Sequence, residues 1–414
     1  MPRWSRALVR VLPLVLPLAL LALAPLAPRS LAAQQFGPAP KRPRLAATAD
    51  TNDAHAYLDF GNAMAVNAPD DAASAFYWAA RIDPGLADAH YGRRIALLLR
   101  NEGLLKAFMS NRKPTKEEQA LDSLQLRAVM LNPFLYRRLD PSLVRTYYRQ
   151  AIEHDMRLDG GSPDAVRGEL EFHLDSWLRQ AGPYMRGWMA YGRGNFPYAL
   201  SEYATAMKQE KEKAGLRIER GRIFGMRGEA DSALAEFQLA LVELRKRDAK
   251  DVVVLYNSKA VVEQAIGILL EQKDDLAGAR EAYGRALQED LSYWPAHVRL
   301  GLAAISAGDT AAAVSELTLA SQIAANEPYV HAVVGASLAA LARQAEGLEE
   351  LKKAIALEPY YALPYVAAAR IYDASSFTDE AMAAYRDFLA RASRTDPQRP
   401  LAEQRLAALK AAGQ

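Results

Sequence analysis

The stretch that decides the fold is "GWMAYGRGNFPYALSEYATAM", Gly187–Met207. Its Gly192-Arg193-Gly194-Asn195 run admits two readings: a glycine loop that cradles a phosphate, or a turn between two helices. A phosphate-binding G-x-G-x-x-G follows a strand and presents its last glycine to the opening helix. Here that last position is Pro197, and the preceding "PYMRGWMAYG" has helical character. The residues after the turn place Ala199, Tyr203 and Ala206 at i, i+4 and i+7, one face of a second helix. The run reads as helix, turn, helix.

The same pattern returns along the chain. Gly187 and Gly221 are 34 residues apart, as are Gly194 and Gly228, Ala199 and Ala233, Tyr203 and Phe237, and Ala206 and Ala240. Gly267, Gly301 and Gly335 keep that interval, with Ala369 in the next place. The large position continues as Tyr283, Leu317, Leu351 and Tyr385, and the small one as Ala286, Ala320 and Ala354 before failing at Phe388. In the turn itself, Gly308 repeats Gly194 and Gly228. A 34-residue period with these small and aromatic positions resembles the tetratricopeptide repeat (TPR). The resemblance implies an all-α, superhelical solenoid of antiparallel helix pairs, with about eight units.

Six units start near residues 180, 214, 260, 294, 328 and 362 and fill 180–395. Residues 53–133 hold degenerate TPR-like units, whose second helices "DDAASAFYWAARIDP" and "LDSLQLRAVMLNP" close on Asp-Pro and Asn-Pro. Twelve extra residues separate Gly221 from Gly267, and 100–119 form a polar insertion. Residues 134–179 do not fit the template and read as an irregular helical segment of two longer helices. Residues 396–414 read as a C-terminal capping helix, whose outer face must tolerate water.

The first 33 residues have a different character. Arg3, Arg6 and Arg10 precede an apolar stretch broken by Pro13, Pro17 and Pro25, followed by the small residues of "SLAA". This resembles a secretory signal peptide cleaved after Ala32 or Ala33, which predicts an exported protein, periplasmic or extracellular. The alternative is an uncleaved leader anchoring the same scaffold to the inner membrane. Residues 34–52, rich in Pro, Gln and Ala, read as a flexible linker. The whole chain has 51 Lys+Arg against 49 Asp+Glu; without the four leader arginines, 47 basic residues remain and the balance turns slightly acidic. That gives no basic face for a nucleic acid. With no cysteine in the chain, disulfides, thiolate metal sites and a Cys nucleophile are excluded.

Candidate chemistry is sparse. Glu171 and Asp175 share a helix face, whereas His173 points elsewhere. His297 and His331 hold the same repeat position, but two histidines do not make a zinc site, and they read as packing residues. The short basic clusters "RKRDAK" and "NRKPTK" read as solvated loops. No catalytic, cofactor-binding or metal-binding residues are expected.

The resemblance implies instead that first helices line a concave groove for a protein or peptide. Carried over by position, the groove takes in Tyr184, Trp188, Tyr191, Ile218, Arg222, Met226, Gln264, Ile268, Val298, Leu302, Tyr329, Arg370 and Asp373. Aromatic side chains with an occasional Arg are what binding hot spots favour. The family's Lys/Asn carboxylate clamp is absent, so a C-terminal carboxylate ligand is not implied. The expectation is a non-enzymatic scaffold that binds a protein or peptide, with no cofactor and no nucleic acid. The rival is an all-helical hydrolase or lyase using acidic residues near 134–179.

Overall fold

The structure, a computed structural model, describes residues 39–101, 113, 115–135, 181–249 and 258–412. The leader, nearly all of the irregular segment and the Glu171–His173–Asp175 group lie outside the described residues. Within them the chain is entirely helical. No helix among these residues is long and apolar enough to cross a membrane.

The helices come in pairs. Near the front, α1 (Ala54–Met64) precedes α2 (Pro69–Ile82), and α3 (Ala87–Leu99) packs on α4 (Lys116–Leu131). Next come α5 (Pro183–Gly192) with α6 (Phe196–Gln209), α7 (Ala214–Met226) with α8 (Ala230–Asp248), and α9 (Lys259–Gln272) with α10 (Leu276–Glu289). Three more pairs follow: α11 (Trp294–Ser306) with α12 (Thr310–Ile323), α13 (Pro328–Ala340) with α14 (Gln344–Leu357), and α15 (Leu363–Ala374) with α16 (Thr378–Arg391). The last helix, α17 (Arg399–Ala412), lies on α16 and buries Ala402, Leu406 and Leu409.

The chain divides into two compact units. Of the described residues, a middle unit comprises those within 58–77 and 86–293, and a C-terminal unit joins 39–57, 78–85 and 294–412.

One turn is used six times among the described residues. After α5, Gly194 donates to the Tyr191 carbonyl and Asn195 to the Ala190 carbonyl, the two bonds of a Schellman cap. Gly194 has φ +73°, which a glycine adopts without steric cost. The Asn195 side chain then accepts from the Tyr198 amide and starts α6. The left-handed residue recurs at Gly228 and Gly308, and also at Asp274, Ala342 and Ser376, which have φ between +60° and +63°. The Gly-Arg-Gly-Asn run is a helix-ending turn with open space at Gly194.

Behind each turn sits a second device. A Cβ on Gly187 would come within 2.6 Å of the Tyr203 ring, one on Gly221 within 2.7 Å of Phe237, and one on Gly267 within 2.3 Å of Tyr283. The first-helix glycine is therefore the bed of its own repeat's aromatic ring. Ala199, Tyr203 and Ala206 are all buried, as the seam pattern requires.

The N-terminal stretch differs from the expected flexible linker, because residues 39–53 make specific contacts within the C-terminal unit. The Trp78 indole N–H donates to the Pro40 carbonyl at 3.1 Å, and Asn52 donates to the Ala390 carbonyl at 3.0 Å. The Arg42 guanidinium lies 4.9 Å from the Trp78 ring centre and 5.2 Å from that of Tyr57. Composition cannot report such contacts, since every partner is remote in sequence.

Candidate partner-binding face

The first helices α5, α7 and α9 of the middle unit each present one polar side chain to the same short stretch of chain. The Tyr191 hydroxyl donates to the Phe134 carbonyl at 2.6 Å. Arg222 Nε donates to the Pro133 carbonyl at 3.2 Å, and Gln264 Nε2 to that of Met130 at 3.2 Å. In repeat register, Gln264 corresponds to Tyr184 and Arg222 to Trp188. The donors thus step back one helical turn from each repeat to the next, and they trace a diagonal across three helices.

Two of the donors are anchored by further hydrogen bonds of their own. Arg222 also donates to Glu219 Oε1 at 3.1 Å, one turn away on α7. Gln264 accepts from the Tyr293 hydroxyl through Oε1, which leaves its amide nitrogen facing Met130. Arg222, Glu219, Gln264 and Tyr191 are all buried.

The segment they hold is the end of α4 and the turn after it. Leu135 donates to the Asn132 carbonyl at 3.3 Å, closing a β-turn with Pro133 at its second position. The Asn132 side chain accepts from the Phe134 amide at 3.0 Å. Proline has no amide, so the main chain of Pro133-Phe134 is fully paired once Arg222 and Tyr191 take the two carbonyls. The Phe134 ring packs against Gly225, whose added Cβ would stand 3.0 Å from it, and lies 6.3 Å from the Phe237 ring centre. Gly225 is the repeat equivalent of Tyr191. The place filled by a side chain in one repeat is left open for Phe134 in the next.

These contacts correct the expected exposure of the groove residues. Tyr191 is 1% exposed, and Trp188 is buried with Met189, Tyr203 and Ile223 in one cluster. Ile218 and Ile268 share a core with Phe134, and Val298 is buried as well. Tyr184 is half-buried, its ring centre 6.0 Å from that of Tyr203. In the C-terminal unit, Tyr329 packs on Gly85, and Asp373 is held through both oxygens by Arg405 of α17 at 2.6 and 2.9 Å. Met226, Leu302 and Arg370 are half-buried on their helices. As sequence, "LNP" reads only as a stop signal, which leaves Met130, Pro133 and Phe134 without a functional role. The aromatic directly after Asn-Pro was the available clue.

Solved structures contain similar helix pairs, and three are representative. YrrB, a TPR protein described with an unusual peptide-binding site, is 19% identical, with a TM-score of 0.39 over 49% of this chain and 98% of its own. MamA is 17% identical, with a TM-score of 0.35 over 41% of this chain and 93% of its own. TTC0263, a thermophilic TPR protein of Thermus thermophilus, is 20% identical, with a TM-score of 0.34 over 48% of this chain and 99% of its own. No family model and no curated protein matches this chain. The fold assignment rests on the chain's own helix pairs.

The two register-matched histidines do not share a ligand. His297 Nδ1 lies 2.7 Å from Glu316, and His331 Nδ1 lies 2.6 Å from Glu350. Each histidine pairs with the carboxylate of its own repeat's second helix. Burial alone would push Glu350 up; hydrogen bonds from His331, Lys353 and Ser321 outweigh it and hold the carboxyl at about 2. No cluster of three or more metal-ligating side chains occurs among the described residues.

Proposed function

We propose that the protein is an exported, non-enzymatic helical-repeat scaffold that binds a segment of a protein partner along its first helices. The observation that carries this reading is the diagonal of Tyr191, Arg222 and Gln264, three donors from consecutive repeats converging on main-chain carbonyls. Such a surface recognises a segment by shape and main-chain polarity, with a few anchoring side chains supplying selectivity. The chemistry it offers is hydrogen bonding and apolar contact.

Site-specific photo-crosslinking tests the reading. A photoreactive residue replacing Met226, half-buried on first helix α7, should capture a protein from the native envelope fraction. The same residue replacing Val242, 64% exposed on second helix α8, should capture none. Capture from Val242 alone would overturn the assignment of the face. Export is tested separately by the N-terminus of the protein isolated from its source. A start at Ala33 or Gln34 supports it, and retention of Met1 contradicts it.

A further inference from the structure

We infer that the Asn132-Pro133-Phe134-Leu135 turn is a resident ligand of this face, and that the site selects turns of the Asn-Pro-Phe kind, so that an incoming segment of the same chemistry must displace it. The inference rests on the partner-binding reading above and adds to it the ligand class and the built-in competitor.

Three observations support it. Recognition is complete at the level of the main chain: Arg222 and Tyr191 take the carbonyls of Pro133 and Phe134, and Asn132 satisfies the Phe134 amide. Each residue of the motif has a distinct reason to be there. Asn closes the turn from its side chain, Pro brings no unpaired amide into a buried site, and Phe fills the opening over Gly225. A smaller residue at the Phe position would leave that opening unfilled.

The third observation concerns how little of the carrying helix is buried. Of the sixteen residues of α4, only Glu118, Leu121 and Ala128 are buried. Its neighbour α3, with thirteen residues, buries ten. The helix packs on α3, and the turn at its end adds the contacts to α5, α7 and α9. A helix end with little buried surface of its own can open locally when its turn is outcompeted.

The test uses the whole protein and a fluorescent peptide of residues 127–135, "RAVMLNPFL". Wild type, with the site filled, should bind it weakly. Phe134→Ala, which empties the opening over Gly225, should bind at least tenfold more tightly. A peptide with alanine at the Phe position should lose that gain, as should Gln264→Ala added to the Phe134→Ala background. Equal binding by wild type and Phe134→Ala overturns the inference.

Phe134→Leu covers the case in which Phe134→Ala does not fold, because it keeps an apolar side chain in the turn while leaving part of the opening over Gly225 unfilled. This variant should bind the peptide more tightly than wild type. Equal binding by Phe134→Leu and wild type overturns the resident-ligand inference. It leaves the partner-binding reading to the crosslinks from Met226, which do not depend on the motif.

Discussion

Each unit holds a remote stretch of its own chain, and the two do so by different chemistry. In the middle unit, the turn after α4 is held by neutral and charged donors to main-chain carbonyls, with one ring in an opening. In the C-terminal unit, residues 39–57 and 78–85 also use main-chain carbonyls, at Pro40 and Ala390, but add a buried ion pair that needs one particular partner. Arg81 Nε meets Glu358 at 2.8 Å with the carboxylate fully buried, and Arg81 also lies 4.9 Å from the Tyr360 ring centre. Trp78 stands edge-on to Tyr360 at 5.1 Å, and the Arg42 guanidinium lies over the Trp78 ring. A main-chain contact can be exchanged for any chain that presents the same carbonyls. A buried ion pair cannot, because losing one partner strands the other charge. The first arrangement suits binding, the second suits permanence.

The comparison breaks most visibly at Arg81. Arg81→Ala should destabilise the C-terminal unit by about 3–5 kcal/mol, because Glu358 is left buried and unpaired. Burial already pushes Glu358 up, against the opposing pull of Arg81. A loss below about 1 kcal/mol in urea denaturation would show that the N-terminal stretch is as exchangeable as the turn. Tyr191→Phe, the matching change in the middle unit, deletes one donor to a buried carbonyl. It should cost about 1–3 kcal/mol.

Acid should report on the C-terminal unit as well. The folded carboxyl of Glu350 sits near 2, below its ordinary value of 4.5, so its contribution is fully present above about 4.5 and is lost as the pH falls toward 2. Glu350→Gln should therefore flatten the decline in stability across that window. An unchanged acid profile would remove the His331–Glu350–Lys353 network from the account. The smallest effect belongs to the turns. Ala342→Gly relieves a left-handed alanine and should stabilise by up to about 1 kcal/mol, whereas Gly194→Ala should destabilise by about 1–2 kcal/mol. Thermal melts of the two variants should move in opposite directions.

Much of the fold was legible because a packed repeat must recur in register. Gly187, Tyr203 and their equivalents announce the helix pairs, and Gly194 announces the turn, since ring beds and left-handed turns both favour glycine. Asp274, Ala342 and Ser376 make the same turn without glycine, held there by Schellman bonds that leave no residue signature. The candidate face was legible only as a ladder of first-helix positions. Repeat logic could name Tyr191, Arg222 and Gln264 but could not say what covers them, because the covering turn lies between 57 and 134 residues earlier in the chain. Trp188 looks like a binding anchor by residue type, but burial in its own cluster makes it part of the support beneath the candidate site, whereas Tyr191, also buried, reaches the turn with its hydroxyl.

The central claim is that the Asn-Pro-Phe turn and the first-helix donors act as one unit in solution. A double-mutant cycle between Tyr191→Phe and Phe134→Ala, read as unfolding free energy, tests it most directly. Tyr191 bonds the carbonyl of the residue whose ring is removed, so the two losses should not add, and an interaction energy of about 0.5–3 kcal/mol is expected. Additivity within about 0.3–0.5 kcal/mol would mean that the two groups do not meet, and would contradict the account.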